Sequence, residues 1–133
     1  VPFLQLDVPG PLPLAARRRI AEALGACYAE TMQTQRHIPS IAVRENDGGP
    51  WRWENGELRE VAVLMCDVRR GRTSEHRESA MRALATLVAH ELGLELDRVV
   101  VEFTQHDHHE MFRYGRIAEA WTAAEADEIT RRR

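Results

Sequence analysis

Lysine is absent from this 133-residue chain: all 18 of its Lys+Arg residues are arginines. No side-chain amine exists to form a Schiff base with a carbonyl substrate or to carry a pyridoxal cofactor. A P-loop, which sets a lysine on nucleotide phosphates, is excluded for the same reason. The amino terminus is the sole amine. Aromatic residues are scarce at 6%, which argues against a stack of rings for reading bases. Basic excess is lacking too: the formal net charge is −3, so no global positive field recruits nucleic acid. No apolar run approaches the roughly 18 residues of a membrane span. The apolar stretch 1–14 carries Pro2, Pro9, Pro11 and Pro13 and no basic lead, unlike a signal peptide. Cysteine is limited to Cys27 and Cys66, without motif spacing. They read as small buried hydrophobes in a reducing cytoplasm. What is present is globular: 44% hydrophobic and 29% charged residues, in a length that fits one domain, 1–133.

Residues 3–8 alternate apolar and polar, which predicts a strand at the start of the chain. Ala16, Ile20, Ala23, Leu24 and Cys27 recur at helical spacing within 14–34. A second strand is expected over 38–43. Asp47-Gly48-Gly49-Pro50, with Trp51, Trp53 and Gly56, marks a hairpin or flap. The apolar run 61–68 reads as a buried strand. A helix follows from an N-cap at Thr73 or Ser74, with Met81, Leu84, Leu87, Val88 and Leu92 on its apolar face and Gly93 at its end. Residues 98–103 form a further strand, 108–116 a loop, and 118–133 a terminal helix.

The predicted order is thus β-α-β over 1–46, a Gly-rich flap over 47–60, β-α-β again over 61–104, and a tail over 105–133. This is an α/β fold: tandem β-α-β units forming a four-stranded sheet with two helices on one face. The other face would be bare and apolar, so the chain is expected to associate with copies of itself.

Four features carry candidate chemistry. Pro2 is one. Val1 stands as the mature first residue, or it is the literal translation of a GTG start whose initiator Met is removed ahead of proline. The arginine-only composition points to a GC-rich genome and favours the second reading. A terminal proline would be a secondary amine near pKa 8, lowered by burial or neighbouring cations into a base at neutral pH. Arg69-Arg70-Gly71-Arg72-Thr73 is the second: Arg69 and Arg72 can converge on a carboxylate beside a helix N-terminus, or form a solvated charge run. His106-Asp107-His108-His109-Glu110 has metal-ligand residue types, but adjacent histidines seldom chelate one ion, and it reads as a polar loop. Met111-Phe112-Arg113-Tyr114-Gly115-Arg116 is an aromatic, cationic loop that could cover an anion pocket.

Taken together, the order of these features resembles the tautomerase superfamily, and best its cis-3-chloroacrylic acid dehalogenase-like branch, with malonate semialdehyde decarboxylase as a further relative. The early Pro2 strand, the paired arginines before a long helix and the Met-x-x-Tyr-Gly-Arg segment at 111–116 carry the resemblance. It implies a homotrimer without metal or organic cofactor. It implies Pro2 as the proton-transfer group and Arg69 and Arg72 as ligands of a substrate carboxylate. The chain departs from the branch at three points. Tyr28 stands where a histidine is used, Glu102 where a tyrosine is used, and Arg113 where a water-activating glutamate precedes Tyr-Gly-Arg. Losing that carboxylate weakens the case for hydration. Arg113 suits an anionic enolate or dicarboxylate. The expectation is a keto–enol tautomerase of a small 2-oxo or 2-hydroxy-dienoate acid, with Tyr28 or Tyr114 donating to the carbonyl oxygen. The alternatives are a hydratase, dehalogenase or decarboxylase of three-carbon acids, or, if Val1 blocks Pro2, a non-catalytic trimeric binding protein.

Overall fold

A computed structural model of the chain describes residues 2–127. Strand β1 spans Phe3–Pro9, and its alternation puts Leu4, Leu6 and Val8 into the core. Helix α1, Leu14–Met32, starts directly behind Pro13, whose ring would break a helix interior. Ile20, Leu24, Tyr28 and Met32 recur every four residues and are buried. Strand β2, Ser40–Asn46, lies parallel to β1. Gly25 lets α1 ride close over it, since a Cβ there would stand 2.9 Å from the Ile41 Cδ1.

Strands β3, Trp51–Glu54, and β4, Glu57–Glu60, form the expected hairpin. Strand β5, Ala62–Arg69, pairs antiparallel with β1 and parallel with strand β6, Val99–His106. Helix α2, Ser74–Leu92, opens on Thr73, whose hydroxyl accepts from the His76 N–H at 3.1 Å. It ends on Gly93 at φ 65°, a left-handed cap. The sheet order is β2-β1-β5-β6. One core joins both helices to the even-numbered side chains of β1 and β5, so both helices cover one face. The tandem β-α-β architecture is the expected one.

Three expectations are corrected. The open face is mixed rather than apolar. Paired strands place Phe3, Asp67 and Thr104 in one row, and Gln5, Met65 and Glu102 in the next. Asp7 on this face pairs with Arg44 at 2.9 Å. Second, the segment 108–116 is not simply a loop. It holds a 3-10 turn, His108–Glu110, and a short hairpin of β7, Phe112–Arg113, and β8, Arg116–Ile117. Third, no α-helix forms over 118–127, only a 3-10 turn at Ala123–Asp127. The carbonyls there accept from side chains elsewhere: Glu119 O from Arg69 at 2.7 Å, and Glu125 O and Ala126 O from Gln35 at 3.2 and 2.5 Å. Tertiary donors have replaced the helical ladder. The rest of that expected helix, 128–133, lies outside the described residues.

Candidate active site

The start of β1, the end of β5 and the end of α1 meet at one end of the sheet. Phe3 pairs with Asp67, and the same register carried one step sets Pro2 beside Val68, next to Arg69. Pro2 is buried, and its carbonyl accepts from the Ser40 N–H at 2.9 Å.

Arg69 is 1% exposed. Its Nη1 donates to Glu119 O at 2.7 Å and its Nη2 to the Glu125 carboxylate at 2.5 Å. Its buried Nε has no hydrogen-bond partner among the described residues. Gly71 then turns the chain at φ 134°, where the Trp121 ring lies 3.3 Å from the position of a Cβ. Only glycine combines that φ with that approach.

Arg72, also buried, faces the end of α1. Nε and Nη2 donate to Met32 O at 3.1 and 2.8 Å, and Nη1 donates to Arg69 O at 3.3 Å. Helix α1 has no basic residue in its last turn, so Arg72 supplies, from another element, both a donor and a positive charge for its carbonyl end. Trp121 lies over the guanidinium at 4.5 Å. Burial pushes the Arg72 pKa down to about 10, against the field of Tyr28, which raises it.

Tyr28 reaches this cluster from α1. It is fully buried, and its hydroxyl has no hydrogen-bond partner among the described residues. Burial raises its pKa, while the fields of Arg72, Arg69 and Arg113 oppose the rise. Arg113 arrives from β7, half-buried. Its pKa is lowered, first by burial and then by Arg69, while Glu125 counteracts both. Three guanidiniums and a phenol thus share one electrostatic environment, to which the Glu125 carboxylate also contributes. That carboxylate also accepts from the Thr34 hydroxyl. Such an arrangement can hold an anion and place a hydrogen-bond donor beside it.

The other expected residues fall differently. The Tyr114 hydroxyl donates to His37 O at 2.5 Å, and its ring tilts against the His37 ring. It is therefore engaged with the loop after α1. Glu102 is exposed on the open face of β6, paired with Met65, while Arg69 pairs with His106. Four residues of strand separate them, roughly 13 Å. One chain does not bring Glu102 into the cluster. In the histidine-rich loop, His106 faces Asp67 at 3.5 Å and His108 Nδ1 lies 2.9 Å from Ala118 O. Among the described residues no group of three His, Cys, Asp or Glu side chains converges as metal ligands. None of the described helices is long and apolar enough to cross a membrane.

Sequence reasoning missed Glu125, Thr34 and Trp121. Their hydrogen bonds span 56 to 91 residues of chain, and no local pattern announces that. A cluster of arginines that folding must bury was the one available signal: it calls for a carboxylate from somewhere.

No protein-family model matches the chain, and no curated protein matches it. Solved structures do. A member of the cis-3-chloroacrylic acid dehalogenase family aligns with a TM-score of 0.81 at 19% identity, over 90% of this chain and 85% of that one. A fused 4-OT, solved as a symmetric trimer, aligns with a TM-score of 0.78 at 20% identity, over 96% and 100%. Malonate semialdehyde decarboxylase aligns with a TM-score of 0.68 at 18% identity, over 86% and 92%. The chain has the fold these proteins share.

Proposed function

We propose that this protein is a cofactor-independent keto–enol tautomerase of a small 2-oxo or 2-hydroxy-dienoate acid. The observation that carries the reading is the cluster of buried Arg69, Arg72 and Tyr28 with half-buried Arg113 at the sheet end where β1 begins. The fields of Arg69, Arg72 and Arg113 converge on Tyr28 at this end of the sheet, and that positive potential favours a substrate carboxylate and the enolate formed during proton transfer. Arg69 and Arg113 bind the carboxylate directly. Arg72, bonded to the end of α1, lends its charge and fixes the floor of the site. The Tyr28 hydroxyl, buried and without a hydrogen-bond partner among the described residues, donates to the developing enolate oxygen. Pro2 moves the proton. Its nitrogen is basic only when Pro2 is the first residue, because an amide nitrogen has no available lone pair.

The structures of similar fold include fused 4-OT trimers. We propose a homotrimer here as well, assembled on the open sheet face. The mass of the assembled particle, by light scattering, tests it.

The test of function uses protein whose amino terminus has been fixed by intact-mass measurement. Ketonisation of phenylenolpyruvate and 2-hydroxymuconate is followed by absorbance. With Pro2 terminal, Pro2→Ala lowers kcat by about 10²–10⁴-fold. Activity unchanged by that substitution places the base elsewhere. A terminus at Val1, with no ketonisation, leaves a carboxylate-binding protein without catalysis.

A further inference from the structure

The Glu125 carboxylate lies where an anionic ligand would bind. Its Oε2 takes the Arg69 Nη2 bond at 2.5 Å and the Thr34 hydroxyl bond together. The pair is deeply placed: the Arg69 side chain is 1% exposed and that of Glu125 14%. The segment that delivers it is held in another way from the rest of the fold. The 3-10 turn Ala123–Asp127 buries no residue. It is fixed by side-chain donors: Gln35 to two of its carbonyls, and Thr34 and Arg69 to Glu125. Upstream, Trp121 lies over Arg72 and donates to Gln33 O at 3.0 Å. A turn held by polar attachments, with no buried apolar residue among its described residues, opens at low free-energy cost. Beneath it, two buried polar groups have no hydrogen-bond partner among the described residues, the Arg69 Nε and the Tyr28 hydroxyl. Glu125 satisfies one edge of Arg69 and leaves both unanswered.

We infer that Glu125 is the resident ligand of the anion site, and that a substrate binds by displacing it. The incoming molecule is a small acid with an oxygen beside its carboxylate. Its carboxylate replaces that of Glu125 on Arg69, and its adjacent oxygen accepts from Tyr28. A tethered carboxylate competes at an effective concentration in the millimolar range, so weak acids that cannot also engage Tyr28 are kept out. Glu125 is then a specificity-determining residue. Apparent affinity is the intrinsic affinity reduced by the fraction of molecules whose site is open.

This inference rests on the reading of the cluster as a carboxylate site, and its test is a binding experiment that needs no turnover. Oxalate is titrated by calorimetry into the full chain, into Glu125→Gln and into Thr34→Val, with Trp121 fluorescence as a second readout. Glu125→Gln binds oxalate roughly five- to fiftyfold tighter, and Thr34→Val, which removes one anchor of Glu125, shifts it the same way by less. Arg69→Met abolishes binding in each background. Unchanged or weaker binding by a folded Glu125→Gln overturns the inference. Should that variant not fold, unchanged affinity in Thr34→Val overturns it equally. Tighter binding without any ketonisation leaves Glu125 as the displaced ligand and removes the tautomerase reading. Ketonisation by the unmodified chain, with oxalate affinity unmoved by either substitution, does the reverse.

Discussion

Replacing Tyr28 by phenylalanine separates stability from function at a single atom. The ring is fully buried in α1 and packs in the core between the sheet and both helices. Its hydroxyl has no hydrogen-bond partner among the described residues. A hydroxyl buried without a partner costs about 1–3 kcal/mol. Deleting it recovers that cost, less a small penalty for the void left by one oxygen, so a net gain of about 1 kcal/mol is expected. For a chain of this length that raises Tm by about 3–4 °C. Under the proposed function, the same substitution removes the donor to the enolate oxygen and lowers kcat for ketonisation by about 10²-fold, with KM little changed because the arginines would still hold the carboxylate. Calorimetric melting and steady-state kinetics on one preparation read both quantities. A Tm that falls by several degrees refutes the reasoning about the hydroxyl, since it would then be bonded within the fold. A raised Tm with unaltered kcat refutes its placement against substrate.

The remaining predictions concern the frame. Gly71→Ala forces a side chain onto φ 134° and against Trp121, and should destabilise the protein by about 1–3 kcal/mol in a denaturant titration. Burial raises the Cys66 thiol to about 12, so it stays protonated and unreactive toward iodoacetamide at pH 8 in the folded protein, and reacts at the rate of unfolding. Asp7 is partly buried, which raises its pKa, but hydrogen bonds from Arg44 and Gln5 outweigh this and hold it below the usual aspartate value. Its contribution to stability is complete above that usual value and is lost as pH falls through the lowered one. Arg44→Ala therefore moves the acid limb of the Tm–pH curve to higher pH, by a small amount because Arg44 is exposed and its charge is screened by solvent.

The elements most legible in the sequence are those with an unbroken period. Leu4, Leu6 and Val8 alternate, and Ile20, Leu24 and Tyr28 step by four; both patterns describe a face buried against one core. Thr73 and Gly93 bracket α2 because capping is local chemistry. Legibility fails where structure depends on distant partners. The segment 118–127 is rich in alanine and glutamate and has helical propensity, yet Arg69 and Gln35 claim its carbonyls. An apolar open face is what a sheet with both helices on its other side suggests, whereas its ion pair, Asp7 with Arg44, is legible only once the register is known. Arg69 and Arg72 were singled out as a pair with one job. Their surroundings divide them: one faces a carboxylate, the other a helix end.

The antiparallel pairing of β1 with β5, flanked on each side by a parallel partner, gives the sheet an approximate two-fold axis between Gln5 and Met65. Each unit contributes a 19-residue helix, so the two ends of the sheet are built from equivalent parts. The described residues equip only one of them: Arg69 and Arg72, the buried guanidiniums, lie at the Pro2 end. The opposite end carries Pro9, Pro11 and Leu12 against Glu91, Leu92 and Leu94, and the arginines beside it, Arg17 and Arg19, are already bonded to Leu12 O and Glu91. For anyone handling the protein this asymmetry is a mounting diagram. Under the proposed function, a purification tag ahead of Pro2 would keep its nitrogen an amide. A fluorophore or surface tether at Pro11 would sit at the end of the sheet away from Arg69 and Arg72.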